Sequence, residues 1–177
     1  MKKIILTVFA ATSLLLYSTQ AFALLSVSVG MPMGHTITDK TIHLAGYDAP
    51  SGYLIGVQLP FAVGLGMDSY KTKLKESEAK LGTDMYNIFY QLPIPVINLI
   101  IGLGTGNQAL ECDGCDAAYD KGSATQWYTS IGMPIIPFFD IHLSYRSITS
   151  KNINYKPNDT KLDFSGSITG IGIAFNF

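Results

Sequence analysis

The chain has 177 residues, 47% hydrophobic and only 14% charged, with 17 Gly, 10 Tyr, 9 Phe and 2 Cys. That is one domain's worth of chain, with too few charges and too many aromatics for disorder and too few cysteines for a disulfide scaffold. The 12 Lys+Arg against 13 Asp+Glu leave no basic excess for nucleic acid, and a mean hydropathy of +0.25 asks where so much apolar surface goes.

Met1-Lys2-Lys3, the apolar run from Ile4 to Tyr17 and the small-residue ending Ala21-Phe22-Ala23 have the layout of a secretory signal peptide cleaved after Ala23. The run is shorter than the ~20 residues of a helical span. The expected domains are therefore a signal over residues 1–23 and a mature unit over 24–177.

In the mature unit the recurrent signal is alternation with period two, which puts successive side chains on opposite faces of a strand. In chain order, the bulky faces are Leu25, Val27, Val29 and Met31; then Tyr53, Ile55, Val57 and Leu59; then Phe61, Val63, Leu65 and Met67. Tyr86, Ile88, Tyr90 and Leu92 follow, then Ile97, Leu99, Ile101 and Leu103, then Trp127, Thr129, Ile131 and Met133. The seventh run sets Phe139, Ile141, Leu143 and Tyr145 against Asp140, His142, Ser144 and Arg146. The eighth sets Ile171, Ile173, Phe175 and Phe177 against glycines, Ala174 and Asn176.

The opposite faces are small or polar: too rich in Gly and Ala for a solvated surface, as a soluble two-sheet sandwich would need. They suit the crowded inside of a narrow barrel whose greasy outside meets lipid. The joins around Pro60, Pro93 to Pro95 and Pro134 to Pro137 are short; those over 32–52, 70–83, 105–124 and 149–161 are long and polar. This alternation predicts an all-β, eight-stranded, antiparallel up-and-down transmembrane barrel with long loops at one end. Tyr53, Tyr86, Tyr90, Trp127 and Tyr145 fall toward strand ends, where amphipathic rings suit the boundary between water and lipid.

With these strands and the ending Gly170-Ile171-Gly172-Ile173-Ala174-Phe175-Asn176-Phe177, the chain resembles the small eight-stranded outer membrane proteins. That family includes the OmpA transmembrane domain, OmpX and OmpW. The resemblance implies an integral outer membrane location and surroundings of outer membrane lipid and lipopolysaccharide. It also implies that Phe175 and Phe177 form the signal read by the barrel-assembly machinery. Members serve as anchors, adhesins, conduits and enzymes, so activity is argued from the residues.

The lumen residues Asp140, His142, Ser144 and Arg146 have side chains fit for acid–base work, but charges inside so narrow a barrel must pair. The expectation is a buried network in which Arg146 meets Asp140 or Asp68. His142-Leu143-Ser144 also resembles the His-x-Ser of lipid A deacylases, which cleave an ester-linked acyl chain. Here Tyr145-Arg146 follows where that family has Asn-Ala, and no Glu occurs after Glu111 to serve as the acid. Cys112 and Cys115 are expected to form a small disulfide in the third loop, since a zinc site would need a second ligand pair.

Glu111, Asp113, Asp116 and Asp120 could hold Ca²⁺ but lack EF-hand spacing. Lys71, Lys73, Lys75 and Lys80, with Glu76 and Glu78, read equally as a charged loop or as contacts for lipopolysaccharide phosphates. His35 and His43 read as loop residues. Gly102-x-Gly104-x-Gly106 opens no helix, so lumen packing explains it better than a dinucleotide. No cofactor or metal is expected. The function that follows is a non-enzymatic barrel with an envelope-structural role, or surface interaction with an extracellular partner through its loops. A narrow conduit for small or apolar solutes and a lipid A esterase are the alternatives.

Overall fold

In the computed structural model, residues 25–39, 46–59, 63–75, 79–92, 97–136, 138–151 and 153–177 are described. The expected signal peptide, His43, Glu76, Glu78 and the prolines of the three short joins other than Pro134 lie outside them.

Eight long strands form the wall: β1 (Ser26–Ile37), β2 (Ser51–Gln58), β3 (Gly64–Lys73), β4 (Lys80–Leu92), β5 (Asn98–Glu111), β6 (Gly122–Ile136), β7 (Phe139–Ser150) and β10 (Gly166–Asn176). Between the last two lies a short hairpin, β8 (Ile153–Tyr155) and β9 (Thr160–Leu162); a one-turn helix, α1 (Cys115–Ala118), follows β5. Each wall strand pairs antiparallel with its neighbours, and β1 pairs with both β2 and β10, so the sheet closes. Leu25 and Phe177 exchange backbone hydrogen bonds of 3.2 and 2.8 Å, bringing both strand ends to the same rim. Closure leaves no unpaired edge in the wall, the condition for placing backbone in hydrocarbon.

The outward side chains form an apolar band. Leu65, Leu103 and Leu143 are each 60% or more exposed, as are Met31 and Val63. From Trp127 to Ile135, β6 runs about 26 Å along its axis, or ~20 Å of height at the tilt usual for such barrels. Thr129, the polar outward residue within this stretch, donates its hydroxyl to the carbonyl of Ile100 at 3.1 Å and so exposes no free donor. Above the band sit Tyr53, Tyr86, Trp127 and Tyr145; Tyr90, Phe139, Phe175 and Phe177 lie toward the other rim.

Two expectations are corrected. The loop-end strands run several residues further than the apolar alternation does, because alternation continues with polar residues outside: Ser69, Lys71 and Lys73 on β3, Lys80 and Asp84 on β4. The second connection is thereby reduced to residues 74–79, and Lys71, Lys73 and Lys80 stand on strands instead of in a loop. Similarly, β6 continues through Pro134 to Ile136 with a register shift between those residues, where a turn is expected from the sequence.

His35 is likewise no loop residue. The register slips between Pro32 and Gly34, so that Pro32 faces Gly170 and Gly34 faces Thr169. One extra residue reverses the parity of the strand. His35, which unbroken alternation would turn to lipid, points inside and is 7% exposed.

Candidate functional site: the lumen and the loop cap

The inward face of β4 shows how the lumen is filled. Read from the terminal rim upward, it presents Gln91, Phe89, Asn87, Met85, Thr83 and Leu81, polar and apolar in turn. Each belongs to a different layer contributed by several strands.

At the rim, Gln91 donates to Asn98 (2.7 Å), while Asn98 and Asn176 donate to the same oxygen of Asp140 (2.5 and 2.9 Å). Above this lie Phe89, Ile100 and Tyr128. Arg146 next crosses the lumen to Asp68, with Nε 2.9 Å from Oδ2; the two are 6% and 1% exposed. Gln126 binds both Asp68 (2.7 Å) and Asn87 (2.5 Å), and the Arg146 guanidinium lies 4.7 Å from the centre of the Tyr128 ring. Leu54, Tyr70, Met85, Ala124, Ile148 and Ile168 make the second apolar layer. His35 with Thr72 (2.8 Å) and Gln108 with Thr83 (3.3 Å) make a further polar one.

The Arg146–Asp140 pairing does not occur. Six residues along one strand separate their Cα atoms by about 20 Å, whereas Asp68 faces Arg146 across the lumen. Both oxygens of Asp68 thus meet donors, and one oxygen of Asp140 accepts two hydrogen bonds, which offsets the cost of burying charge. Gln126, Asn87, Asn98 and Asn176 are members of the network that the sequence signals only through their inward parity.

Glycines make room for the large crossing side chains. A Cβ on Gly102 would run into the Tyr128 ring, and one on Gly104 into Asn87 Oδ1. On the β1, β2 and β10 side, Ser28, Gly30, Gly56 and Gly172 leave a cavity of about 50 Å³ beside Arg146, space for a few waters.

His142 and Ser144 both line this cavity, yet they do not pair. Ser144 Oγ accepts from Arg146 at 2.6 Å and sits 3.4 Å from the Gly170 carbonyl oxygen; His142 Nδ1 lies 3.3 Å from Ser130 Oγ. His142 Nε2 has no hydrogen-bond partner, and is 3.9 Å from Asp140. A nucleophile activated by a base needs those two side chains in hydrogen-bond reach, and here the serine is held by an arginine.

Over the far mouth the connections form a packed cap. Ile37, Leu81, Leu110, Cys115, Ile153 and Phe164 are buried together, with Tyr47, Tyr119 and Leu162 against them. The Cys112–Cys115 disulfide is present and Cys115 is buried in this cluster. Tyr119 bridges to Tyr155, and Lys156 binds the Asp116 carbonyl (3.1 Å) and the Asp120 carboxylate (3.6 Å), joining two connections into one platform. The acidic side chains disperse: Glu111 pairs with Lys71 at 2.7 Å, and among the described residues no three His, Cys, Asp or Glu converge on one point.

This architecture has solved counterparts. Neisserial surface protein A aligns over 86% of this chain and 96% of its own, with 12% identity and a TM-score of 0.59. The Yersinia pestis outer membrane protein Ail aligns over 86% and 98%, with 16% identity and a TM-score of 0.51. The fold is that of the small outer membrane barrels. A third structure, the E. coli outer membrane protein W, covers 88% and 98% at 8% identity and a TM-score of 0.49. No protein-family model and no curated protein sequence matches the chain. Shared architecture at such identities speaks for the barrel; what the barrel does is argued from its own lumen and cap.

Proposed function

We propose that the protein is a non-enzymatic, integral barrel of a bacterial outer membrane, serving the envelope as a rigid spanning element and meeting an extracellular partner through its cap. In this reading residues 1–23 are the export signal, lipid and lipopolysaccharide surround the band, and Phe175 and Phe177 are read by the barrel-assembly machinery. The observation that carries it is the filling of the lumen. Apolar layers at Phe89–Ile100–Tyr128 and at Leu54–Tyr70–Met85–Ile148–Ile168 alternate with paired polar ones, and a water-filled route would need a continuous polar lining.

Planar bilayers test it. Purified barrel, shown to be inserted by its heat-modifiable migration on gels, is expected to give no stable current. A steady open conductance would favour the conduit reading instead. The esterase reading loses its support in the separation of Ser144 from His142 described above.

A further inference from the structure

The rim that carries the three short joins is apolar. Leu59, Val63, Ile97, Ile135, Ile136 and Phe138 flank those joins with exposed side chains. From the girdle down, residues 53–67, 86–105 and 127–145 contain a single charged residue, Asp140, and it is buried in the lumen. Gln91 and Asn98, polar residues of the rim, turn inward and bond to each other. Five of the chain's eight prolines stand in the joins: Pro60, Pro93, Pro95, Pro134 and Pro137.

Strand length says where these turns lie. From Tyr53 to Leu59 the chain covers ~20 Å, and from Trp127 to Ile136 ~30 Å, or ~15 and ~23 Å of height at the usual tilt. The apolar band of an outer membrane barrel is ~25 Å tall. The strands below the girdle thus fall short of the hydrocarbon they must match, and the apolar turns make up the difference.

We propose that these three turns are seated in the inner leaflet of the outer membrane, against phospholipid acyl chains, and do not stand in periplasmic water. The inference rests on the membrane-spanning reading above and adds a contact surface to it. Continuity argues first. Between girdle and rim the outward polar side chains are Thr105 and Thr129, and both hydroxyls are bonded to carbonyls, so no polar ring separates the rim from the band. Proline argues next: it has no N–H, so each one lowers the number of backbone donors that lipid would leave unsatisfied. Phe138 argues the same way. Its φ of 74° is a left-handed conformation that bulky residues rarely adopt, fixed here by a carbonyl that accepts the Asn176 N–H at 3.0 Å. The ring this turn directs outward is 61% exposed, and acyl chains around it offset the backbone strain by burying apolar area. The corner where Leu25 and Phe177 meet forms no part of this surface.

Trp127 is the single tryptophan of the chain, so an indole can be moved about the barrel. In a Trp127→Phe background, Phe138→Trp and Val63→Trp place it at two of the turns, and Asp113→Trp places it on the cap. Each full mature barrel is inserted into phosphatidylcholine nanodiscs, open to buffer on both faces, with plain or brominated acyl chains, and heat-modifiable migration shows that it is folded. Brominated lipid is expected to remove most of the emission at both turns, and acrylamide in the buffer to leave it. Asp113→Trp is expected to do the reverse. Val63→Trp carries the test if Phe138→Trp does not fold. Acrylamide quenching at a turn as strong as at the cap would overturn the proposal and leave the rim to a soluble partner. An indole at a turn shielded from both quenchers would overturn it as well, in favour of a second protein chain on the rim. Trp127 of the parent, in the same discs, tests the reading beneath: its failure to respond to brominated lipid would overturn the membrane span itself.

Discussion

Arg146 is the side chain on which the middle of the barrel turns. It forms an ion pair with Asp68, donates to Ser144 and packs over Tyr128. Its substitution by Ala leaves Asp68 buried with Gln126 alone, and the loss of one partner of a buried pair costs about 3–5 kcal/mol. Urea unfolding of the vesicle-inserted barrel is expected to show a loss of that size. Replacing both partners, Arg146→Met with Asp68→Leu, is expected to recover most of it, because no charge then stays uncompensated. If the double variant is as unstable as the single one, the pair is not what stabilises this layer. At this scale the sequence shows which side chains face inward, since parity alone assigns them. Partner choice was not legible: Asp140 is near in sequence, but strand extension puts it out of reach, and the curvature of the closed wall brings in Asp68 from the opposite side.

The strands show the same division between local and non-local causes. Bulky alternation locates all eight, and the polar–apolar alternation among the inward residues of β4, from Gln91 to Leu81, is itself readable once parity is known. Strand ends are not. A strand continues for as long as a neighbour offers hydrogen bonds, and Lys71, Lys73 and Lys80 extend the ladder well past the apolar band. The slip near Met33 is also non-local, being a mismatch between β1 and β10. Deleting Met33 removes the extra residue yet leaves Gly34 opposite Thr169 and His35 opposite Ile168, so that His35 and Ile37 still point inside. The expected result is a barrel that closes and unfolds at a urea concentration close to the parent's, with loops equally resistant to external protease. Faster cleavage would mean that the local bend at the bulge, and not only the parity it sets, seats the cap.

For the whole molecule the decisive event is closure of β10 on β1. Residues 175–177 supply the Phe175–Val27 and Asn176–Ser26 pairings and the Leu25–Phe177 hydrogen bonds. Deleting them leaves an unpaired edge at the rim, which hydrocarbon does not tolerate. The truncated chain is expected to be absent from the outer membrane fraction and to show no heat-modifiable form. Phe177→Ala alone removes no backbone hydrogen bond, so reduced insertion with that variant would assign the ring to recognition during assembly, and normal insertion would assign the end of the chain to closure only.

The sequence by itself determined the class of fold, the number and order of the long strands, and the face of each that meets lipid. Those properties follow from a period of two and from the solvent each face prefers, and both are local. Tertiary structure decided the filling of the lumen, the partner of Arg146, the burial of His35 and the packing of the connections into a cap around Cys115. Each depends on bringing together residues far apart in the chain, and only the curvature and register of the closed sheet set those meetings.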